Sequence, residues 1–200
     1  METARQFLSR KVLRIEPRKM WPAGFEGPKG RIAAARQAEA GVALTVYGEG
    51  LGDAVAVGKF HQGHFDDRLV RAASDAFRRE PLNGAPRWVT AVPSLRRPRL
   101  VRDFASRLAE ALGLPFRPVI RKRHETAEQK TMENAFQQAR NIVDAFEVDE
   151  SQVMAEPVLL VDDLVDSRWT FTVCAMLLRE AGSGPVYPLA LASASRQDGD

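Results

Sequence analysis

The stretch that decides the fold is PVLLVDDLVDSRWTFTV, residues 157–173. Val158, Leu159, Leu160 and Val161 form a continuous apolar run, the mark of a strand buried on both faces. Asp162 and Asp163 follow at once, then a short polar loop and the apolar run of a helix. A buried strand that feeds a helix belongs to an α/β sheet. It delivers the paired acids to the sheet's carboxyl edge, where such sheets bind ligands. The helix start adds backbone N–H groups without intrahelical partners, and these suit a phosphate. Carboxylates at that edge accept hydrogen bonds from sugar hydroxyls or assist a Mg²⁺ ion. The simpler alternative is a buried strand that ends in a solvated acidic turn.

Outward from this stretch the alternation of strand and helix continues. FTVCAMLLREAG, 171–182, is an apolar helix closed by Gly182, and VYPLALAS, 186–193, is a final strand. Upstream, RWVTAVP, 87–93, is a short apolar strand ended by Pro93. PRLVRDFASRLAEALG, 98–113, predicts a helix with Leu100, Phe104, Leu108 and Leu112 at helical spacing and Gly113 as its C-cap. FRPVIRK, 116–122, predicts another strand, and HFDDRLVRAASDAFRRE, 64–80, an amphipathic helix. GVALTVYGEG, 41–50, reads as a short strand or turn, and RIAAARQAEA, 31–40, as helix by its alanine content. Residues 1–31, broken by Pro17, Pro22, Pro28, Gly24, Gly27 and Gly30, read as an irregular arm rather than a packed element. The class is therefore α/β, with a mostly parallel sheet flanked by helices and an irregular N-terminal arm.

Charge and composition narrow the function. The chain has 200 residues, 44% hydrophobic and 28% charged, an ordinary globular balance that argues against wholesale disorder. Its net charge of +3 hides a segregation: +5 over residues 1–31, −1 over 32–86, +8 over 87–123 and −9 over 124–200. Separate basic and acidic surfaces admit phosphate or nucleic-acid partners, although a charge run is more often a solvated face. The lone Cys174 excludes an internal disulfide and a multi-cysteine zinc site, and its apolar helix face marks it as a buried small side chain. His61, His64 and His124 make no metal-ligand pattern, so no protein-held metal is expected. No apolar run approaches the roughly 18 residues of a membrane span, and the N-terminus lacks a secretory signal, so a cytoplasmic location is expected. Gly48-Glu49-Gly50-Leu51-Gly52 superficially matches a dinucleotide loop but lacks the strand–loop–helix order, so it reads as a turn.

The segment from Val158 to Thr170 resembles the phosphoribosyl-pyrophosphate (PRPP) motif of type I phosphoribosyltransferases, with an apolar strand, two acids and a phosphate loop. The resemblance implies that Asp162 and Asp163 are the catalytic pair, facing the ribose hydroxyls. It implies that Asp166, Ser167, Arg168, Trp169 and Thr170 form the 5′-phosphate loop. Where the family has glycine, this chain has Arg168 and Trp169, and Asp166 adds an anion. TAVPSLRRPRLVRDFASRLAEALGLPF, 90–116, resembles the pyrophosphate loop and following helix of ComF-type members, which places Ser94, Arg96 and Arg97 on pyrophosphate. Arg121-Lys122-Arg123, Gln129, Met132-Glu133-Asn134, Gln137, Asn141 and Phe146 resemble the flap that covers PRPP in that group, or equally the polar face of a surface helix.

Over most of its length the chain is also similar to the phosphoribosyltransferase-like C-terminal extension of bacterial RecQ-type DNA helicases. The residues that carry this are FLSRKVLRIEPRKMWPAG at 7–24, VTAVPS at 89–94 and PVLLVDDLVDSRWTFTV at 157–173, of which DDLVDSRWT is the specific part. There is no GxxxxGK[ST] sequence, no DEAH-like box and no cysteine cluster, so this chain alone is expected to have no ATPase or helicase activity. The resemblance implies a basic arm or linker at 1–50, a phosphoribosyltransferase-like domain at 51–195 and a disordered tail at 196–200. It implies binding of PRPP or a related phosphorylated ribose, with Mg²⁺ held through PRPP, beside a helicase in DNA repair, and it allows a homodimer. An active protein would be a glycosyltransferase. The alternative is a non-catalytic module that holds DNA or a protein partner, with Trp21, Trp88 and Trp169 stacking on bases if exposed. On either reading the chain is a helicase fragment or a stand-alone relative.

Overall fold

The computed structural model describes residues 12–23, 28–79, 85–124 and 142–194. A five-stranded sheet runs through the middle, built from β1 (Leu13–Ile15), β2 (Gly41–Val46), β3 (Trp88–Ala91), β6 (Val158–Val165) and β7 (Val186–Ser193), in the order β1-β2-β7-β6-β3. β2, β7, β6 and β3 are parallel neighbours, and only the edge strand β1 is antiparallel. Helices α1 (Leu51–Val57), α2 (Asp67–Arg79) and α3 (Leu100–Leu112) connect β2 to β3 and continue beyond it, while α4 (Trp169–Glu180) joins β6 to β7. A separate two-stranded ribbon pairs β4 (Ile120–Lys122) with β5 (Phe146–Val148). The α/β architecture with a mostly parallel sheet is as the sequence implies.

The central strands read as continuous apolar runs because both of their faces are covered. Val158, Leu159, Leu160 and Val161 are all inaccessible to solvent, and the eight residues of β7 are all buried. Alternation divides them between two cores. Val158, Leu160 and Val186 pack with Val173, Cys174 and Leu178 of α4. Leu159, Val161 and Leu189 pack with Leu69 and Ala73 of α2 and Phe104 and Leu108 of α3, where Phe65 and Phe104 meet edge-to-face. Cys174 is buried as expected, and burial pushes its thiol well above the ordinary range. Among the described residues, no helix is long and apolar enough to cross a membrane.

The basic stretch near the N-terminus is a packed element, which corrects the reading of it as an irregular arm. β1 lies in the sheet, and residues 19–21 turn back on 30–32 through Trp21 N–H to Gly30 O and Ile32 N–H to Lys19 O. Its few apolar residues decide this: Ile15, Trp21 and Ile32 are buried in the core beside α4. Pro22, Pro28 and Gly30 flank this reversal instead of marking a linker. The helix expected over 31–40 is absent apart from one tight turn at Ala34–Arg36. That segment is tied at one end by Ile32 and at the other by Glu39 N–H to Val186 O, and tertiary anchoring overrides its helix propensity. The strand expected at 116–122 touches the main sheet only at Phe116, opposite Val89, and then leaves it. Pro115 and Pro118 supply no N–H to a ladder, so pairing there is brief.

The stretch at 48–52 is a turn, as expected, but it launches a helix that the sequence reading leaves out. α1 begins at Leu51, and a Cβ on Gly52 would overlap the Val46 carbonyl oxygen, so only glycine lets α1 sit this close to the end of β2. α1 then widens into a π-helical turn at Gly58–Gln62. The proposed flap residues Gln129, Met132, Glu133, Asn134, Gln137 and Asn141, and the tail 196–200, lie outside the described residues.

Candidate functional site

β6 does not stop at the acids. It pairs with β7 through Asp162 opposite Ala190 to Val165 opposite Ser193, so both aspartates sit within the strand near its carboxyl end. Strand alternation sends the two side chains to different surroundings. Asp163 faces α1, where its carboxylate takes Lys59 Nζ on both oxygens, at 3.1 and 3.0 Å. Asp162 lies on the side of Cys174 and Lys122, and its Oδ1 accepts the Asp163 N–H at 2.8 Å. Burial, then the adjacent Asp163 charge, pushes the Asp162 carboxyl up to about 8, although Lys59 and Lys122 pull the other way. Burial and the neighbouring negative charge thus favour the protonated form of Asp162 more than in an ordinary carboxyl, while Asp163 stands in an ion pair with Lys59.

Both acids open onto a cleft of about 300 Å³. Its opposite wall comes from the end of β3 and the turn that follows, with Ser94, Arg96 and Arg97. The Arg97 N–H donates to Ser94 Oγ at 3.2 Å, which closes that turn, and the Arg97 guanidinium lies 5.1 Å from the centre of the Phe60 ring. Asp166, Arg168 and Thr170, at the start of α4, complete the rim. The fold thus brings Asp162, Asp163, Ser94, Arg96, Arg97, Asp166, Arg168 and Thr170 to one cavity, from positions up to 76 residues apart.

Ser167 and Trp169 are not part of that lining. Trp169 is fully buried on the far side of the loop, stacked on Trp21 at 5.4 Å and 13°, with the Arg18 guanidinium 4.3 Å from its ring centre. The Ser167 carbonyl accepts Arg18 Nε at 2.7 Å, and the Ser167 Oγ accepts the Trp169 N–H at 3.4 Å. These two side chains brace the loop from outside the cleft. Burial, then the Arg168 charge, lowers the Arg18 guanidinium to about 10, still charged at neutral pH. Trp21, Trp88 and Trp169 are all buried, so none presents a face to a nucleobase.

Arg168 takes the position where the family motif has glycine, and it takes glycine's conformation, with φ of 67°. Its guanidinium reaches back to the Glu16 carbonyl at 3.2 Å. A left-handed non-glycine residue costs about 1 kcal/mol or more, and one solvent-facing hydrogen bond returns roughly 0.5–1.5 kcal/mol. Arg168→Gly is therefore expected to leave stability within about 1 kcal/mol of wild type. Arg168→Val, β-branched and unable to reach Glu16, is expected to cost about 2 kcal/mol or more. Urea melts of the two variants check this, and equal losses would contradict the strained-loop account.

Sequence reasoning misses Lys59, Phe60 and Tyr47, which also line the cleft, and gives Lys122 only a place at the start of the flap. Lys59 lies 104 residues from its partner Asp163 in a segment with no motif, and only the packing of α1 over β2 and β7, which carries the π-helical turn toward β6, joins them. A directly bound divalent cation does not fit the residues present. Both Asp163 oxygens face Lys59, one Asp162 oxygen is taken by a backbone N–H, and among the described residues no three His, Cys, Asp or Glu side chains converge.

No protein-family model and no curated protein matches the chain. Solved structures with a similar fold include an allosteric regulatory enzyme of purine biosynthesis, 19% identical over 62% of this chain and 25% of that one, TM-score 0.44. Adenine phosphoribosyltransferase from Leishmania tarentolae is 15% identical over 64% of this chain and 72% of that one, TM-score 0.42. Adenine phosphoribosyltransferase from Trypanosoma brucei, in complex with AMP, pyrophosphate and ribose-5-phosphate, is 13% identical over 98% of this chain and 83% of that one, TM-score 0.41. The chain spans about a quarter of the length of the purine-biosynthesis enzyme. These are likenesses of fold, and the chemistry of the cleft rests on its own residues.

Proposed function

We propose that the cleft binds a phosphorylated ribose, PRPP or a close relative. One observation carries the reading: a sugar-binding acid pair, an arginine turn and a helix-start loop from three separate segments line one cavity. Asp162 and Asp163 hydrogen-bond the vicinal hydroxyls of the sugar. Arg96 and Arg97 present guanidinium forks to the pyrophosphate. The loop at 166–170 offers backbone N–H groups and Thr170 to the terminal phosphate. In a transfer reaction the acceptor nitrogen forms its bond to C1 as the C1–O bond to pyrophosphate breaks, and the arginines stabilise the charge that leaves. Calorimetry tests the binding: PRPP is expected to bind, and both ribose 5-phosphate and pyrophosphate to compete with it. Absence of heat at millimolar PRPP would overturn the proposal. Pyrophosphate release, assayed across nucleobases, separates a transferase from a sensor that binds without turnover.

The finer reading places this domain beside a cytoplasmic RecQ-type helicase in DNA repair. It rests on the likeness of 7–24, 89–94 and 157–173 to that helicase extension. Solvent-facing Arg87, Arg99, Arg102 and Arg117 are the residues that a DNA backbone would meet outside the cleft. DNA affinity with a steep salt dependence supports this accessory role, and affinity for neither DNA nor a helicase partner removes it.

A further inference from the structure

Resting on the phosphorylated-ribose reading, we infer that Lys59 stands in for a divalent cation at the acid pair, so that the ligand binds without Mg²⁺ and its charge is met by side chains alone. The geometry is specific. Lys59 lies in the π-helical turn at the end of α1, a local widening that re-aims side chains. Gly58 makes that turn possible: a Cβ there would come within 2.7 Å of both the His64 carbonyl oxygen and the Phe65 ring. The turn carries Lys59 across to β6, where its ammonium touches both Asp163 oxygens. Both side chains are largely buried, with 20% of Lys59 and 12% of Asp163 exposed, so the pair is shielded from competing salt and water.

A Mg²⁺ ion bridging the ligand to the acid pair would need a carboxylate oxygen at about 2.0–2.1 Å in near-octahedral order. An ammonium already within hydrogen-bond distance of both oxygens excludes it by repulsion and by volume. The anionic ligand does not lack countercharge, because Arg96, Arg97, Lys122 and Arg168 line the same cavity. Three acids, Asp162, Asp163 and Asp166, face these four cations and Lys59 across the cleft.

Ribose 5-phosphate, titrated calorimetrically into the full chain in EDTA and again in millimolar Mg²⁺, tests the inference. The wild-type Kd is expected to agree within about twofold between the two media. Lys59→Met is expected to bind about tenfold or more weakly in EDTA and to recover when Mg²⁺ is added. Mn²⁺ water-proton relaxation is expected to rise for Lys59→Met and not for wild type. A wild-type affinity that climbs tenfold with Mg²⁺ overturns the inference and leaves the ribose-phosphate reading standing, whatever the variant does. Equal Mn²⁺ relaxation in wild type and a folded Lys59→Met or Lys59→Gln overturns it too. No binding of ribose 5-phosphate in either medium overturns the site reading beneath it.

Discussion

Replacing Arg96 and Arg97 together by alanine is expected to weaken PRPP binding by a factor of about 10²–10⁴. Each guanidinium that meets a phosphate in a charge-assisted hydrogen bond contributes about 1.5–3 kcal/mol, and about 1.4 kcal/mol is tenfold in affinity. The loss is selective by ligand. On the proposed function, the arginine turn would hold pyrophosphate and PRPP, whereas the acid pair and the 166–170 loop would hold ribose 5-phosphate, whose affinity is therefore expected to fall much less. The fold does not depend on these side chains: Arg96 is exposed and Arg97 only half-buried against Phe60. The Arg97 N–H to Ser94 bond is a backbone donor that survives the substitution. Unfolding free energy is accordingly expected to stay within about 1 kcal/mol of wild type. Calorimetry with the three ligands reads the result, and an equal loss for ribose 5-phosphate and pyrophosphate would break the division of the cleft into sugar and pyrophosphate ends.

The largest expected loss of stability belongs to Trp169→Ala, at about 3–5 kcal/mol. Trp169 is completely buried, stacked on Trp21 and covered by Arg18, so its removal empties the junction between α4 and the N-terminal strand. The Arg18 guanidinium would lose its aromatic partner and keep only the Ser167 carbonyl. Trp169→Phe is expected to cost far less than Trp169→Ala. The indole Nε1–H is buried with no hydrogen-bond partner, and removing an unsatisfied donor returns about 1–3 kcal/mol against the lost volume. Chemical denaturation of both variants distinguishes the cases. Faster tryptic cleavage after Arg18 or Lys19 in Trp169→Ala would show that residues 12–23 have come away from α4. Unchanged cleavage would mean that β1 holds the segment without the tryptophan stack.

These expectations show which parts of the molecule its local chemistry announces. The run from Val158 to Asp163 needs no neighbours to be understood. Four apolar residues and two acids make a buried strand with a polar end, and β6 and its cleft follow. Leu100, Phe104 and Leu108 share one helix face, and α3 buries all three. The arginine turn after Val92-Pro93 is legible only beside the acid-pair strand, because Ser94, Arg96 and Arg97 taken alone read as a solvated helix entrance, and the fold sets them on the same cleft as the acids. Trp169 shows the limit of such reading. Its position in the loop motif points at the ligand, and only the presence of Trp21 behind it explains why the ring turns inward.

By itself, then, the sequence determined the α/β alternation, the strand that carries the paired acids and the basic turn that faces them, because each is written in contiguous residues through burial and periodicity. Tertiary structure alone decided three other matters. It made residues 12–23 and 28–32 a sheet edge and a brace for the loop, since buried Ile15, Trp21 and Ile32 anchor them to the core despite the charges around them. It gave Asp162 and Asp163 different neighbours, since strand alternation points one toward Cys174 and Lys122 and the other toward Lys59. And it brought Lys59 to Asp163 across 104 residues, a pairing that no local pattern encodes, because it depends on where α1 comes to rest against the edge of the sheet.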